Sequence, residues 1–289
     1  MLKQTNLYNL FNYLNEDSIV SLSNSSKTST LVSKRMRQLP GVKDKYIEVK
    51  DIDNWINRFP KLIHCCIKDY DEKIKDYVNI FRQNLLKLDL SCSYDLTDVS
   101  SLGKVNKLNL SSCFRVKDVS ALGNIQKLCL SCCTGVTDVS ALGNVQKLNL
   151  SFCVNIEDVS ALGKVNDLNL SHCKRVTDVS ALGNVQKLDL SFCYSVKDVS
   201  ALGKVNDLNL SGCERVTDVS ALGEVNTLNL YRCTGVTDVS ALGKVNILNL
   251  SCCRGVTDVS ALGNVNVVNL TYCRGVTDVS ALGNVKIIR

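Results

Sequence analysis

Val145, Leu148, Leu150, Cys153, Ile156, Val159 and Leu162 are the apolar places in the stretch "VQKLNLSFCVNIEDVSALGK", and polar residues fill almost every gap between them. The same places are apolar again twenty residues on, and the match at that step runs from about residue 85 to the end of the chain. Leu148 and Leu150 flank one outward residue, which is the period of a strand with one buried face. The remaining apolar places are too widely spaced for a second strand and too few for a long helix. They read as a short turn that brings the chain back for the next strand. Successive strands then pair in parallel, and at a spacing of about 4.8 Å ten of them make a rod or shallow arc roughly 50 Å long.

Ten full units begin at Leu85, Val105 and so on to Val265, and an eleventh stops after five residues. The unit reads V-x-x-L-x-L-x-x-C-x-x-V, the pattern of a leucine-rich repeat, and a single coil of that kind cannot bury its own core. The fold class expected is therefore α/β, a leucine-rich-repeat solenoid with a parallel sheet and 20-residue coils, preceded by a small N-terminal helical module. Its expected divisions are 1–50, an irregular linker, cap or degenerate repeat over 51–84, and the solenoid over 85–289. Within "TDVSALG" the Asp, present ten times from Asp98 to Asp278, is expected to accept backbone N–H groups at a helical turn. The closing Gly is expected to take a positive φ. The Asn places on the strands, from Asn109 to Asn269, are expected to bond to one another along the sheet.

Composition changes this picture little. Of 34 basic and 28 acidic residues, 14 and 10 fall in 1–84 and the other 20 and 18 in 85–289, so neither part is basic enough to imply nucleic-acid binding. The first residues lack a basic start and an apolar stretch, so they do not read as a signal peptide. No run of eighteen apolar residues exists, which argues against a membrane span. The fifteen cysteines mostly follow the repeat, and they read as reduced thiols of a cytoplasmic protein. The ninth-place cysteines, Cys113 to Cys273, read as small core residues, because an even spacing of twenty matches no zinc signature. Cys129 and Cys132 form one C-x-x-C at outward places, without a second pair. His64 and His172 have no triad or zinc partner at a recognisable spacing. No catalytic, cofactor-binding or metal-binding residue is expected, and the chain does not read as an enzyme.

What varies lies just after the strand. Blocks 141–180 and 181–220 differ at seven positions, of which 154–157, 172 and 174 fall two to seven places beyond the second Leu. Exposed aromatics and arginines are common interface anchors, so Phe152, His172, Phe192, Tyr194, Arg232, Arg254, Tyr272 and Arg274 are the candidate partner-binding residues. At the far end Val285 and Ile288 occupy core places, and an unpaired strand edge there points to end-to-end self-association.

The unit "LNLSHCKRVTDVSALGNV" resembles the cysteine-containing leucine-rich repeats of F-box proteins, and its "TDVSAL" turn is similar to the short repeats of internalin-like proteins. The stretch "NLYNLFNYLNEDSIVSLSNSSKTSTLVSKRM" resembles an F-box, with Leu7, Leu10, Phe11, Leu14, Ile19 and Leu22 as its adaptor-binding residues. It departs from the F-box pattern in lacking Leu-Pro at the front and in having Ser29 where a Trp is usual. The resemblance implies a substrate-recognition subunit of a cullin-type ubiquitin ligase, bound to a Skp-type adaptor through the N-terminus and to a substrate protein through the repeats. Without the resemblance, the same segment reads as a cap on a stand-alone binding scaffold. Uniform repeats in an Asn- and Lys-rich, Pro-poor chain are similar to repeat families of large DNA viruses, which would place the protein in a host cytoplasm.

Overall fold

The computed structural model describes the backbone of residues 46–48, 65–68 and 85–289, and side chains from residue 87 onward. The candidate adaptor-binding residues between Leu7 and Leu22 lie outside the described residues. Two units divide the chain, one running to Leu90 with Lys104–Leu108, the other comprising Ser91–Gly103 and Asn109–Arg289. In the first, β1 (Tyr46–Glu48), β2 (Cys65–Lys68) and β3 (Leu85–Asp89) pair in parallel, with an irregularity between Cys65 and Cys66. After β4 (Lys107–Asn109), the larger unit carries β5 (Lys127–Cys129) and eight further three-residue strands, ending with β13 (Lys286–Ile288). From β5 to β12 each strand pairs in parallel with the next at a step of twenty, so that Leu148 faces Leu168 and Leu168 faces Leu188.

This register makes the leucine-rich-repeat solenoid a direct consequence of the pattern. Val145, Leu148, Leu150, Cys153, Ile156, Val159 and Leu162 are all at most 2% exposed, and their counterparts in neighbouring coils match them. Cysteine suits its place for two reasons. It is small, and its Sγ–H donates to a leucine carbonyl of the preceding coil, as from Cys153 to Leu130 at 3.0 Å and from Cys193 to Leu170 at 3.1 Å. Burial pushes the thiols of Cys133, Cys173, Cys213 and Cys253 up to about 12, which keeps them protonated donors. Among the described residues no three His, Cys, Asp or Glu side chains gather as a metal set, and no helix is long and apolar enough to cross a membrane.

The return segment is a 3-10 turn of three to five residues, such as Ser160–Lys164, too short for an α-helix's bonds to build up. The Asp two residues ahead accepts the Ser N–H in all ten coils, at 2.8 or 2.9 Å. That bond holds Asp118 and its eight successors below the ordinary carboxylate value.

Three expectations fail for physical reasons. The closing glycines other than Gly283 do not take a positive φ: Gly123 sits at φ −62° and ψ −17°, in the right-handed region. Glycine is needed there because a Cβ would lie 2.2 Å from the carbonyl oxygen of Ala141 in the next coil. The strand asparagines do not bridge to one another either. From Asn149 through Asn269, and with Asp189 in the same column, each side chain accepts the N–H two residues ahead in its own coil at 2.8–3.1 Å. Finally, β13 pairs at a step of nineteen, so Ile287 takes the place expected for Ile288, which faces outward beside Asn269 and is 43% exposed. The shift follows Gly283, which has nothing within 4 Å of its Cβ position and moves to φ +50°.

Candidate partner-binding ridge

The positive φ values absent from nine of the ten closing glycines occur two places beyond the second leucine of the unit, in the variable column. Cys92, Ser112, Cys132, Phe152, His172, Phe192, Arg232, Cys252 and Tyr272 all have φ between 57° and 63°, and Gly212 completes the column at 71°. The backbone requires it. The N–H of Phe152 bonds across to the Ser171 carbonyl at 2.8 Å, while the very next N–H, of Cys153, turns back to Leu150 at 3.0 Å. A left-handed residue redirects the chain between these two bonds, and the side chain it carries is lifted to the surface.

Coil stacking turns this column into a ridge. Phe152 and His172 stack with ring centroids 4.1 Å apart, His172 and Phe192 at 4.7 Å, and Tyr194 meets Phe192 edge-on at 6.2 Å. Tyr94 and Phe114 form a separate stacked pair at 5.7 Å. Gly212 ends the three-ring stack, because the Phe192 ring leans over it and a Cβ there would lie 2.6 Å from Cδ1 of Phe192. The sequence places this glycine in the variable column but assigns it no role; a lone Gly directly after Phe152, His172 and Phe192 was the available signal. Beneath the ridge Ser151, Ser171, Ser191 and Ser211 are buried, so the rings stand on a polar but packed shelf.

Beyond Gly212 the ridge becomes basic. Arg232 reaches Glu214 only at 4.0 Å, whereas Arg254 and Arg274 are exposed and form no ion pair with any described residue. Tyr272, two residues before Arg274, is 69% exposed. The structure therefore brings Phe152, His172, Phe192 and Tyr194 together as one aromatic group. It leaves Arg232, Arg254, Tyr272 and Arg274 as a second group on the following coils. Cys129 and Cys132 are half-buried beside serines, with Ser111 Oγ 3.1 Å from Cys129 Sγ and Ser131 Oγ 3.7 Å from Cys132 Sγ.

The fold is a leucine-rich-repeat solenoid that carries surface side chains in file along successive coils. No family model matches the chain, and no curated protein matches it. Among solved structures it is similar to an internalin, InlF, of Listeria monocytogenes, at 17% identity and a TM-score of 0.43, covering 93% of this chain and 96% of that one. It is also similar to the functional domain of InlJ from the same organism, described as including a cysteine ladder, at 19% identity and a TM-score of 0.44, covering 75% of this chain and 60% of that one. A leucine-rich-repeat protein of Leptospira interrogans covers 78% of this chain and 94% of its own length, at 15% identity and a TM-score of 0.32.

Proposed function

We propose that this chain is a binding scaffold that holds a partner protein on the ridge running from Phe152 to Arg274. The observation that carries the reading is conformational. A non-glycine residue in the left-handed region costs roughly 1–2 kcal/mol, and Asn or Asp lowers that cost by bonding locally. Nine of the ten places in this column are not glycine, and none is Asn or Asp. Drift at an unconstrained surface would let the residues best suited to this backbone accumulate there. Five of the nine are instead side chains useful for contact, Phe152, His172, Phe192, Arg232 and Tyr272, and the other four are Cys or Ser. The test is selection from a random-peptide library on the full chain. Enriched peptides should lose binding when Phe152, His172 and Phe192 are together replaced by Ser, while circular dichroism stays unchanged. Enrichment that survives the triple substitution would move the binding surface elsewhere.

The finer reading is that the scaffold serves a cullin-type ubiquitin ligase in a reducing cytoplasm, with a Skp-type adaptor held by the F-box-like residues Leu7, Leu10, Phe11, Leu14, Ile19 and Leu22. What supports it is the sequence resemblance of that segment and the presence of thirteen free thiols among the described residues. The ubiquitin chemistry would then belong to the recruited enzyme, and this chain would contribute proximity to the target. Co-purification with a Skp-type adaptor, abolished by Leu14→Asp with Ile19→Asp in a still-folded chain, is the expected outcome. Failure of the unaltered chain to bind would leave a scaffold with an N-terminal cap.

A further inference from the structure

The two halves of the ridge differ in chemistry, and the difference points to the kind of partner. Some charges elsewhere on the repeats are matched across neighbouring coils. Lys147 meets Asp167 at 2.8 Å, Lys187 meets Asp207 at 2.9 Å, Arg175 meets Glu157 at 3.1 Å and Lys244 meets Glu224 at 2.7 Å. Arg254 and Arg274 form no such pair among the described residues. Arg254 and Arg274 occupy equivalent places one coil apart, so two like charges are stacked with no acidic group between them. The variable places of these coils contain no Asp or Glu from Arg232 to Gly275. The nearest acidic column in sequence, Asp238, Asp258 and Asp278, is engaged by the N–H groups of Ser240, Ser260 and Ser280.

We infer that the ridge takes an acidic segment of a partner protein, with an aromatic or aliphatic anchor on the Phe152–His172–Phe192 stack and carboxylates on Arg254 and Arg274. The inference rests on the ridge being the binding surface. Carboxylates suit the basic half because a guanidinium offers a planar fork of donors to them. The spacing is set by the fold. His172 and Arg254 are four coils apart, about 19 Å at the strand spacing, which an extended peptide crosses in about six residues. Side chains repeated at the strand spacing suit such an extended segment. Gly212, buried under the leaning Phe192 ring, marks where the aromatic half ends.

The experiment is a random-dodecapeptide selection on the full chain, followed by affinity measurement of enriched peptides at low and high salt. Enriched sequences should place two or more Asp or Glu about six residues from an apolar anchor. Replacing Arg254 and Arg274 by Glu should weaken them at least about tenfold, replacing both by Gln should weaken them less, and added salt should weaken the parent complex. Both arginines are exposed, so the fold is expected to stay intact, and circular dichroism checks this. Peptides without an acidic excess, or affinities untouched by charge reversal, would overturn the inference while leaving the ridge as a binding surface. No enrichment on the intact chain would overturn both readings. A single-stranded oligonucleotide bound through the same arginines more tightly than any peptide would also overturn it.

Discussion

Replacing Gly123 by Ala should destabilise the protein by about 1–3 kcal/mol, the range for a forced contact in a packed interior. The sign of this result separates two explanations of the glycine column. Gly123 has ordinary right-handed angles, φ −62° and ψ −17°, which alanine adopts readily. On backbone freedom alone the change would stabilise by about 0.4–1 kcal/mol, since alanine restricts the unfolded chain. Stacking predicts the opposite. The new Cβ would lie 2.2 Å from the Ala141 carbonyl oxygen, against the ordinary contact of 3.4–4 Å, so the two coils would have to separate. Each coil is held mainly by its neighbours, and a widened step weakens the one interface on which both sides depend. At Gly263 the equivalent distance is 2.9 Å, so the same substitution should do less harm there. Urea unfolding followed by circular dichroism gives both values, and an unchanged or raised stability for Gly123→Ala would remove the close-approach explanation.

The twenty-residue step and the core places were legible in the sequence because burial repeats with the chain's own period. One coil's pattern of Val, Leu and Cys fixes where the next coil's must lie. Less legible were features that depend on what a neighbouring coil puts against a residue. The closing glycines and the left-handed column illustrate this, since a glycine can signal either unusual angles or missing space, and only the stacked neighbour tells which. Here the positive φ lies under Phe152, His172 and Arg232, residues that give no sequence hint of it. The asparagine column was misread for a related reason, since a repeated polar side chain can bond along the stack or within its coil. The two-residue bond within the coil prevails because that N–H faces no strand partner. At the last coil, the period itself misled. Pairing slips to nineteen at Gly283, where nothing packs on the glycine to hold it in the common conformation.

The candidate ridge was legible as a list of variable places, but its geometry was not. Spacing alone shows that Phe152, His172 and Phe192 fall on adjacent coils. It does not show that their rings stack at 4.1 and 4.7 Å, nor that Gly212 is occupied by the leaning Phe192 ring. The division into aromatic and basic halves depends on that glycine.

The second large effect expected is a separation of stability from binding at the far half of the ridge. Arg232 and Tyr272 have φ of 57° and 60°, and both are exposed, so glycine at these places relieves backbone strain while removing little burial. Relief of about 1–2 kcal/mol per residue is partly offset by the greater freedom glycine gives the unfolded chain, about 0.5–1 kcal/mol, leaving a net gain near 1 kcal/mol for each. Phe152 and Phe192 are less suitable for this purpose, because their removal also breaks ring stacking worth about 0.5–1.5 kcal/mol per pair. The most direct measurement is therefore made on Arg232→Gly with Tyr272→Gly, comparing unfolding free energy in urea with the affinity of peptides selected on the unaltered chain. The account expects a more stable protein that binds those peptides more weakly. A double variant that is no more stable, or that gains stability and binds as before, would contradict the claim that the repeated residues build this fold and the strained ones are kept for a partner.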